Sequence, residues 1–190
     1  MKICFATNNA HKLQEVKALL DQKIDLQSLS DIGCHQSLPE NQKTLEGNSL
    51  EKAEFVFDNY GVNCFADDTG LEVYALDGAP GVFSSRYAGT GNSQDNMNLL
   101  LKNLEGQTNR RAQFRTVITL IIEGKRKQFE GIVKGKMVEK MEGEAGFGYD
   151  PIFVPDGYDL TFAQMDFDMK NKISHRGQAI RKLVKFLNKL

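Results

Sequence analysis

Residues 112–122 alternate over a run that is longer than most strands. One face of this run carries Ala112, Phe114, Thr116, Ile118, Leu120 and Ile122. This alternation predicts a β-strand, because successive side chains of an extended backbone point to opposite faces. Gly124 and Lys125 predict a turn into a partner strand through Phe129, Ile132 and Val133. The two strands form an antiparallel hairpin, since so short a turn reverses the direction of the chain.

The rest of the chain predicts helices mixed with further strands. Residues 3–6 predict a strand that a polar turn ends, and apolar residues at helical spacing predict a helix from near His11. An amphipathic helix is predicted over residues 48–60, with Leu50, Ala53, Phe57 and Tyr60 on its apolar stripe. A last helix follows its N-cap Ser174. The pattern favours a mixed α/β fold.

Composition excludes several classes of protein. Lys and Arg (24) nearly balance Asp and Glu (25), so no positive field exists to hold a nucleic acid. The apolar run near the start, residues 3–6, is too short for a signal peptide or a membrane span. Cys4, Cys34 and Cys64 lack the spacing of a zinc site and are predicted to be reduced, buried thiols. We expect a cytoplasmic protein whose residues 1–190 form a single domain.

The first of four polar segments lies between the opening strand and the first helix. It consists of Thr7, Asn8, Asn9, Ala10, His11 and Lys12. The start of a helix exposes unpaired N–H groups with a partial positive charge, and a lysine beside it suits a phosphate. The alternative is an ordinary N-cap followed by a solvated lysine.

The second segment carries the adjacent carboxylates Asp67 and Asp68, followed by Thr69 and Gly70. A strand ends at 66 and alternation resumes at 71–75, so the acidic pair is predicted to lie in a turn between two strands. Neighbouring side chains point apart, so only one carboxylate serves a given cleft. Such a carboxylate can hold Mg²⁺ and position water, although an Asx-turn explains the pair equally well.

The third segment, residues 146–151, includes Phe147, Gly148, Tyr149 and Asp150. Glycine lets a flat ligand approach, an aromatic face can stack on a base, and a carboxylate can accept a hydrogen bond from its edge. A glycine-aromatic turn at the edge of a sheet is the alternative.

The fourth segment places His175 and Arg176 in the first turn of the last helix, where their side chains are predicted to project freely past its end. The helix dipole disfavours cations there, which indicates a functional reason for them. A surface basic pair is the alternative. A metal-ligand role for His175 is disfavoured, because no ligand spacing links it to His11 or His35.

Together these segments resemble a known family over essentially the whole chain, in the same order and at the same spacing. The family is that of the non-canonical purine nucleoside triphosphate pyrophosphatases, the HAM1-like inosine/xanthosine triphosphate diphosphatases. The matching segments are residues 7–12, 66–71, 78–81, 85–87, 147–151 and 174–178. The resemblance implies an elongated mixed sheet flanked by helices in two lobes, with the nucleotide in a central cleft. It also implies Mg²⁺-dependent cleavage between the α- and β-phosphates, in a protein that dimerises.

The resemblance also assigns roles by position. Asp68 corresponds to the metal ligand and general base, and the substrate contacts correspond to Thr7, Asn8, Asn9, Ala10, His11, Lys12, Thr69, Phe147, Gly148, Tyr149, Asp150, Lys170, His175 and Arg176. His175 and Arg176 fall on the residues that read the base. We therefore expect the strand end with Asp68, Lys12 and Arg176 to meet around one anion-binding groove.

One segment departs from the family pattern. The family commonly has Glu-Thr-Gly-x-Thr before Phe-x-Glu-Asn, whereas this chain has residues 40–48 without the Thr-Gly pair. Glu40 keeps the spacing of the metal-associated glutamate, and Glu46 lies one place before the later glutamate position. We rank Glu40 above Glu46 as the second metal carboxylate. The alternative function, a regulatory protein that binds the nucleotide without cleaving it, stays open at this point.

Overall fold

The computed structural model describes residues 1–20 and 23–189. The described strands are β1 (Lys2–Phe5), β2 (Asp25–Gln27), β3 (Cys64–Val73), β4 (Pro80–Gly81), β5 (Arg111–Ile122), β6 (Lys125–Met137) and β7 (Phe153–Pro155). The described α-helices are α1 (Ala10–Lys17), α2 (Leu45–Tyr60), α3 (Ser93–Asn103), α4 (Phe167–Ile173) and α5 (His175–Leu187). Among these helices, none is long and apolar enough to cross a membrane.

The strands form a mixed sheet in the order β2-β1-β3-β5-β6-β7, and β4 pairs with β3 off this path. β1 runs parallel to both of its neighbours, with Cys4 opposite Gln27 on one side and Cys64 on the other. The β3–β4 and β6–β7 pairs are antiparallel. The mixed α/β fold class predicted from the sequence is confirmed.

The β5–β6 hairpin is also confirmed, with its turn one residue earlier than predicted. The two residues between the strands are Glu123 and Gly124, whose φ angles are 48° and 76°. Positive φ at both positions is what a type I′ turn requires, and this turn matches the twist of the strands it joins. Lys125, predicted as a turn residue, already belongs to β6.

The predicted turn at the acidic pair is wrong, because β3 continues through residues 64–73 without a break. Gly70, which suggested the turn, serves a different purpose. A Cβ atom at this position would lie 2.6 Å from the carbonyl oxygen of Gly81, the residue to which β4 brings its backbone. The glycine therefore permits a close approach of two backbones, a common reason for glycine inside a strand.

Local capping explains where the helices begin. Asn9 caps α1 by accepting hydrogen bonds from the backbone N–H groups of His11 and Lys12, so the helix begins next to its predicted start. α2 begins at residue 45 instead of 48, because the Thr44 side chain accepts from the Gly47 N–H. α5 begins directly after residue 174, as predicted, whereas α3 and α4 were not predicted.

The described residues divide into two compact units. The first comprises Met1–Asp68, Thr116–Gly131 and Arg176–Leu190, and the second comprises Thr69–Arg115 and Ile132–His175. The core of the first unit includes Phe5 and Phe65, whose rings stack at 4.6 Å between centroids. The core of the second unit is built around Phe114, Phe153 and Phe162.

The three cysteines lie in the first unit and carry free thiols, as predicted. Cys4 and Cys64 are fully buried on neighbouring strands, and Cys34 is 3% exposed. Burial raises the pKa of the Cys4 and Cys64 thiols to about 12, so both thiols stay protonated at neutral pH. They act as small apolar residues of the core.

Candidate active site

The two acidic residues of β3 make separate sets of contacts. Asp67 accepts hydrogen bonds from Lys12 Nζ at 2.9 Å and from Arg176 Nε at 3.2 Å. Asp68 accepts from Lys52 Nζ at 3.4 Å. Because consecutive side chains of a strand point to opposite faces, one carboxylate serves each face, as predicted. The structure thus brings Lys12, Arg176 and the acidic pair together within the first compact unit.

The Asp67 face holds a chain of four alternating charges. Arg176 pairs with Asp67 through Nε and with Glu15 of α1 through Nη1, while Lys12 binds the other oxygen of Asp67. Glu15, Asp67 and Arg176 are almost completely buried. Burial alone would raise the pKa of Asp67, but Lys12 and Arg176 hold it well below its usual range. This carboxylate is therefore ionised and fixed in place by its two cations.

Arg176 and His175 differ from their predicted surroundings. Both were expected to project freely past the start of α5, and this prediction is wrong, because their exposed fractions are 2% and 4%. The guanidinium of Arg176 lies in the ion pairs with Glu15 and Asp67. The ring of His175 stacks on Phe114, with centroids 4.6 Å apart. Their predicted role as base readers stays a prediction.

The Asp68 face joins two carboxylates through one ammonium group. Lys52 Nζ lies 2.6 Å from Glu40 Oε1 as well as 3.4 Å from Asp68 Oδ1. Asn48 Nδ2 donates to the second oxygen of Asp68 at 3.1 Å. Burial raises the pKa of Asp68 above its ordinary value, although Lys52 and Lys12 act in the opposite direction. The Glu40 side chain is about one third exposed, so the cluster of Glu40, Lys52 and Asp68 is open to solvent at Glu40.

Helix α2 contributes two side chains to this group, Asn48 and Lys52, from its buried face. Asn48 and Lys52 are four residues apart and so lie on the same side of the helix. Asn48 is oriented from both ends, because its Oδ1 accepts from the Gln42 N–H at 2.9 Å while its Nδ2 donates to Asp68. The predicted apolar stripe is only partly correct: Ala53 is fully buried, but the buried face also carries polar side chains.

The phosphate-binding segment predicted at residues 7–12 is organised around the start of α1. The Thr7 hydroxyl accepts from the Asn9 N–H at 3.1 Å, and the Asn9 side chain caps the helix. Asn8, Ala10 and His11 are exposed, whereas Lys12 is partly buried in its pair with Asp67. Asn9 is thus the expected N-cap, and the lysine is held by a carboxylate.

The second compact unit holds the residues predicted to border a base. Asp150 Oδ2 accepts from Lys170 Nζ at 2.7 Å and from the Phe147 N–H at 2.8 Å. The Lys170 ammonium also lies 4.9 Å from the centre of the Phe147 ring. Gly146 has φ of 76°, and a Cβ there would overlap the Asp150 carboxylate. Of the residues predicted to contact the substrate in this unit, Phe147, Asp150 and Lys170 therefore contact one another.

Three other predicted residues of this unit take different positions. Tyr149 is buried in the core, and its hydroxyl donates to the Ser84 carbonyl at 2.8 Å. Burial raises the pKa of this phenol, so it stays protonated. Gly148, with φ of 64°, provides the left-handed backbone between the two aromatic residues. Thr69 is half-buried in β3.

The Asp68 group has the donor atoms that suit Mg²⁺. Magnesium is usually held by one or two carboxylates together with water and substrate phosphates, rather than by a full set of protein ligands. Glu40 and Asp68 supply two hard oxygen donors close to one point, since both contact the same Lys52 ammonium. Among residues 1–20 and 23–189, no group of three or more potential ligands could hold a metal by itself. These residues fit a metal that brings further ligands with it.

Comparison with known proteins identifies the family. A model described as the Ham1 family matches residues 3–186. The chain belongs to the Ham1 family. A relative in Flavobacterium johnsoniae, named dITP/XTP pyrophosphatase, is 52% identical over 188 residues that cover 98% of both chains. A relative of the same name in Flavobacterium psychrophilum is 54% identical over 187 residues, with 98% of each chain covered.

A solved structure shares the fold of this Ham1-family chain. The Ham1 protein of Staphylococcus aureus superposes with a TM-score of 0.91 at 37% identity. The match covers 100% of this chain and 99% of that one. The mixed sheet and its helices are therefore the Ham1 fold.

Three residues of this Ham1-family site were not predicted from the sequence: Glu15, Asn48 and Lys52. Asp67 was noted in the sequence, but its pairing with two cations was not predicted. Lys52 follows Asn48 by four residues, and both lie off the predicted apolar stripe, so helical periodicity gave no signal for either. No local signal indicated Glu15.

Proposed function

We propose that this chain hydrolyses deoxyinosine, inosine and xanthosine triphosphates to the monophosphate and pyrophosphate. The observation that carries the proposal is the buried Asp68 group, in which Asn48 and Lys52 orient a carboxylate beside Glu40. The names of the relatives support the choice of dITP and XTP as substrates. A buried, oriented carboxylate surrounded by lysines suits phosphoryl chemistry, in which positioning and charge neutralisation dominate.

In the proposed reaction, water attacks the α-phosphorus and pyrophosphate leaves. Asp68 accepts the proton of the attacking water, so a P–O bond forms at the α-phosphorus as the bond to the bridging oxygen breaks. Lys12 neutralises negative charge on the departing pyrophosphate. Magnesium, held by Glu40 and Asp68 together with the nucleotide, would supply further neutralisation of this charge. Asp67 keeps Lys12 in place through their ion pair.

Other predicted contacts serve the rest of the nucleotide. Thr7, Asn9 and the start of α1 offer groups for the triphosphate, in keeping with the affinity of helix N-termini for anions. Phe147 and Asp150 are proposed to stack on the base and to bind its edge. Cytoplasmic location and homodimerisation are also proposed. The three free thiols support a reducing compartment, and the dimer is carried over from the family resemblance.

Pyrophosphate release from dITP and from dATP tests this function and its selectivity. With Mg²⁺ present we expect dIMP and pyrophosphate, with kcat/KM about tenfold to a hundredfold higher for dITP than for dATP. Arg176 and backbone N–H groups are the proposed donors to the carbonyl at position six, and an amino group there would leave such a donor unpaired, which costs roughly 1–3 kcal/mol. EDTA is expected to abolish release. Binding of dITP without any pyrophosphate would overturn the proposal in favour of a regulatory nucleotide-binding protein.

A further inference from the structure

Lys52 occupies an unusual position for a helical lysine. It is 4% exposed, and its ammonium contacts Glu40 and Asp68, the two carboxylates proposed to hold a metal. A single cation bonded to two carboxylates offsets part of their mutual repulsion, which a divalent cation would also do. The chain therefore already contains a counter-ion for this pair.

The charges around Lys52 are nearly balanced. The ion pairs form two separate sets, one of Glu15 and Asp67 with Arg176 and Lys12, the other of Glu40 and Asp68 with Lys52. The first set is neutral, and the second carries one excess negative charge. A hydrated divalent cation gains little from so weak a net charge, and Mg²⁺ gives up its water reluctantly.

We infer that Lys52 is the resident cation of the Glu40–Asp68 pair, and that it prevents metal binding until a nucleotide brings the metal in. The inference rests on the proposed function, because it concerns the same site. A metal already bound to a triphosphate enters as a net anion, so the lysines attract it, whereas they repel the free ion. Lys52 thus acts as a positioning residue that sets the order of binding.

Binding of Mn²⁺ to the nucleotide-free protein, measured by electron paramagnetic resonance, tests this role. Lys52→Gln removes the charge and should raise the affinity for Mn²⁺ at least tenfold, which corresponds to about 1.4 kcal/mol. Lys52→Arg keeps the charge and should leave the affinity low. Lys43→Gln is the matched control, because it removes the same charge from an exposed position just before α2. Asp68→Asn added to Lys52→Gln should abolish the gain.

Unchanged Mn²⁺ affinity in Lys52→Gln would overturn the inference, as would an equal gain in the Lys43 control or a gain that survives without Asp68. The wild-type protein gives an independent result if Lys52→Gln does not fold. It should bind Mn²⁺ at least tenfold more weakly than free dITP does in the same buffer, and tighter binding by the protein would contradict the inference. Since turnover is not measured, failure here is distinct from failure of the proposed hydrolysis.

Discussion

Asp68→Asn is expected to lower kcat for dITP hydrolysis by about a thousandfold or more, because a positioned general base contributes roughly 10²–10⁴-fold and this carboxylate also serves the metal. The substitution keeps the size of the side chain and an oxygen that can accept from Asn48 Nδ2. Lys52 keeps its contact with Glu40. Steady-state pyrophosphate release, with circular dichroism to confirm folding, measures the effect.

The matched control for Asp68 is Asp58→Asn, an exposed carboxylate of α2 in the same compact unit. Its activity should stay close to that of the wild type. Nearly normal turnover in Asp68→Asn, with the fold intact, would show that another group takes the proton. A loss of similar size in the Asp58 control would indicate a general electrostatic effect instead of a specific role.

Arg176→Met is expected to destabilise the fold by about 3–5 kcal/mol, the usual consequence of removing one partner from a buried ion pair. Arg176 is 2% exposed and pairs with two carboxylates that are themselves buried. Without it, Glu15 loses the ion pair that offsets its burial, and Asp67 loses one of the cations paired with it. Equilibrium unfolding in urea, followed by circular dichroism, gives the change in free energy.

Arg181→Met on the exposed face of α5 serves as the comparison, and its stability should change by about 0.5 kcal/mol or less. If Arg176→Met unfolded at the wild-type urea concentration, the buried charge chain would not stabilise the fold. A loss of dITP hydrolysis in this variant would then support the predicted contact with the base, because unfolding could not explain the loss. The stability measurement therefore separates a role in the fold from a role in recognition.

Local patterns were sufficient to predict much of the fold. The β5–β6 hairpin follows from alternation and a glycine turn, and the start of α1 follows from Asn9 and helical spacing. The contrast between Asp67 and Asp68 follows from strand geometry alone. In each case the cause lies within a few residues of the effect, so the sequence contains it.

Other features depend on residues that lie far apart in the chain. Gly70 suggested a turn. The structure requires glycine at this position for another reason, the close approach of the Gly81 backbone, which belongs to a different strand. Arg176 looked free at a helix end, whereas its partner Glu15 is 161 residues away. Lys52 meets Asp68 only because β3 packs against its helix. Such pairings come from tertiary packing, and helical or strand periodicity does not encode them.

Hydrolysis of dITP in ¹⁸O-labelled water, with mass analysis of both products, tests the proposed reaction most directly. Attack of water on the α-phosphorus forms the new P–O bond in the nucleotide, so the label should appear in dIMP while the pyrophosphate stays unlabelled. Label in the pyrophosphate, or release of orthophosphate in its place, would mean that another phosphorus is attacked and would contradict the reaction assigned to Asp68.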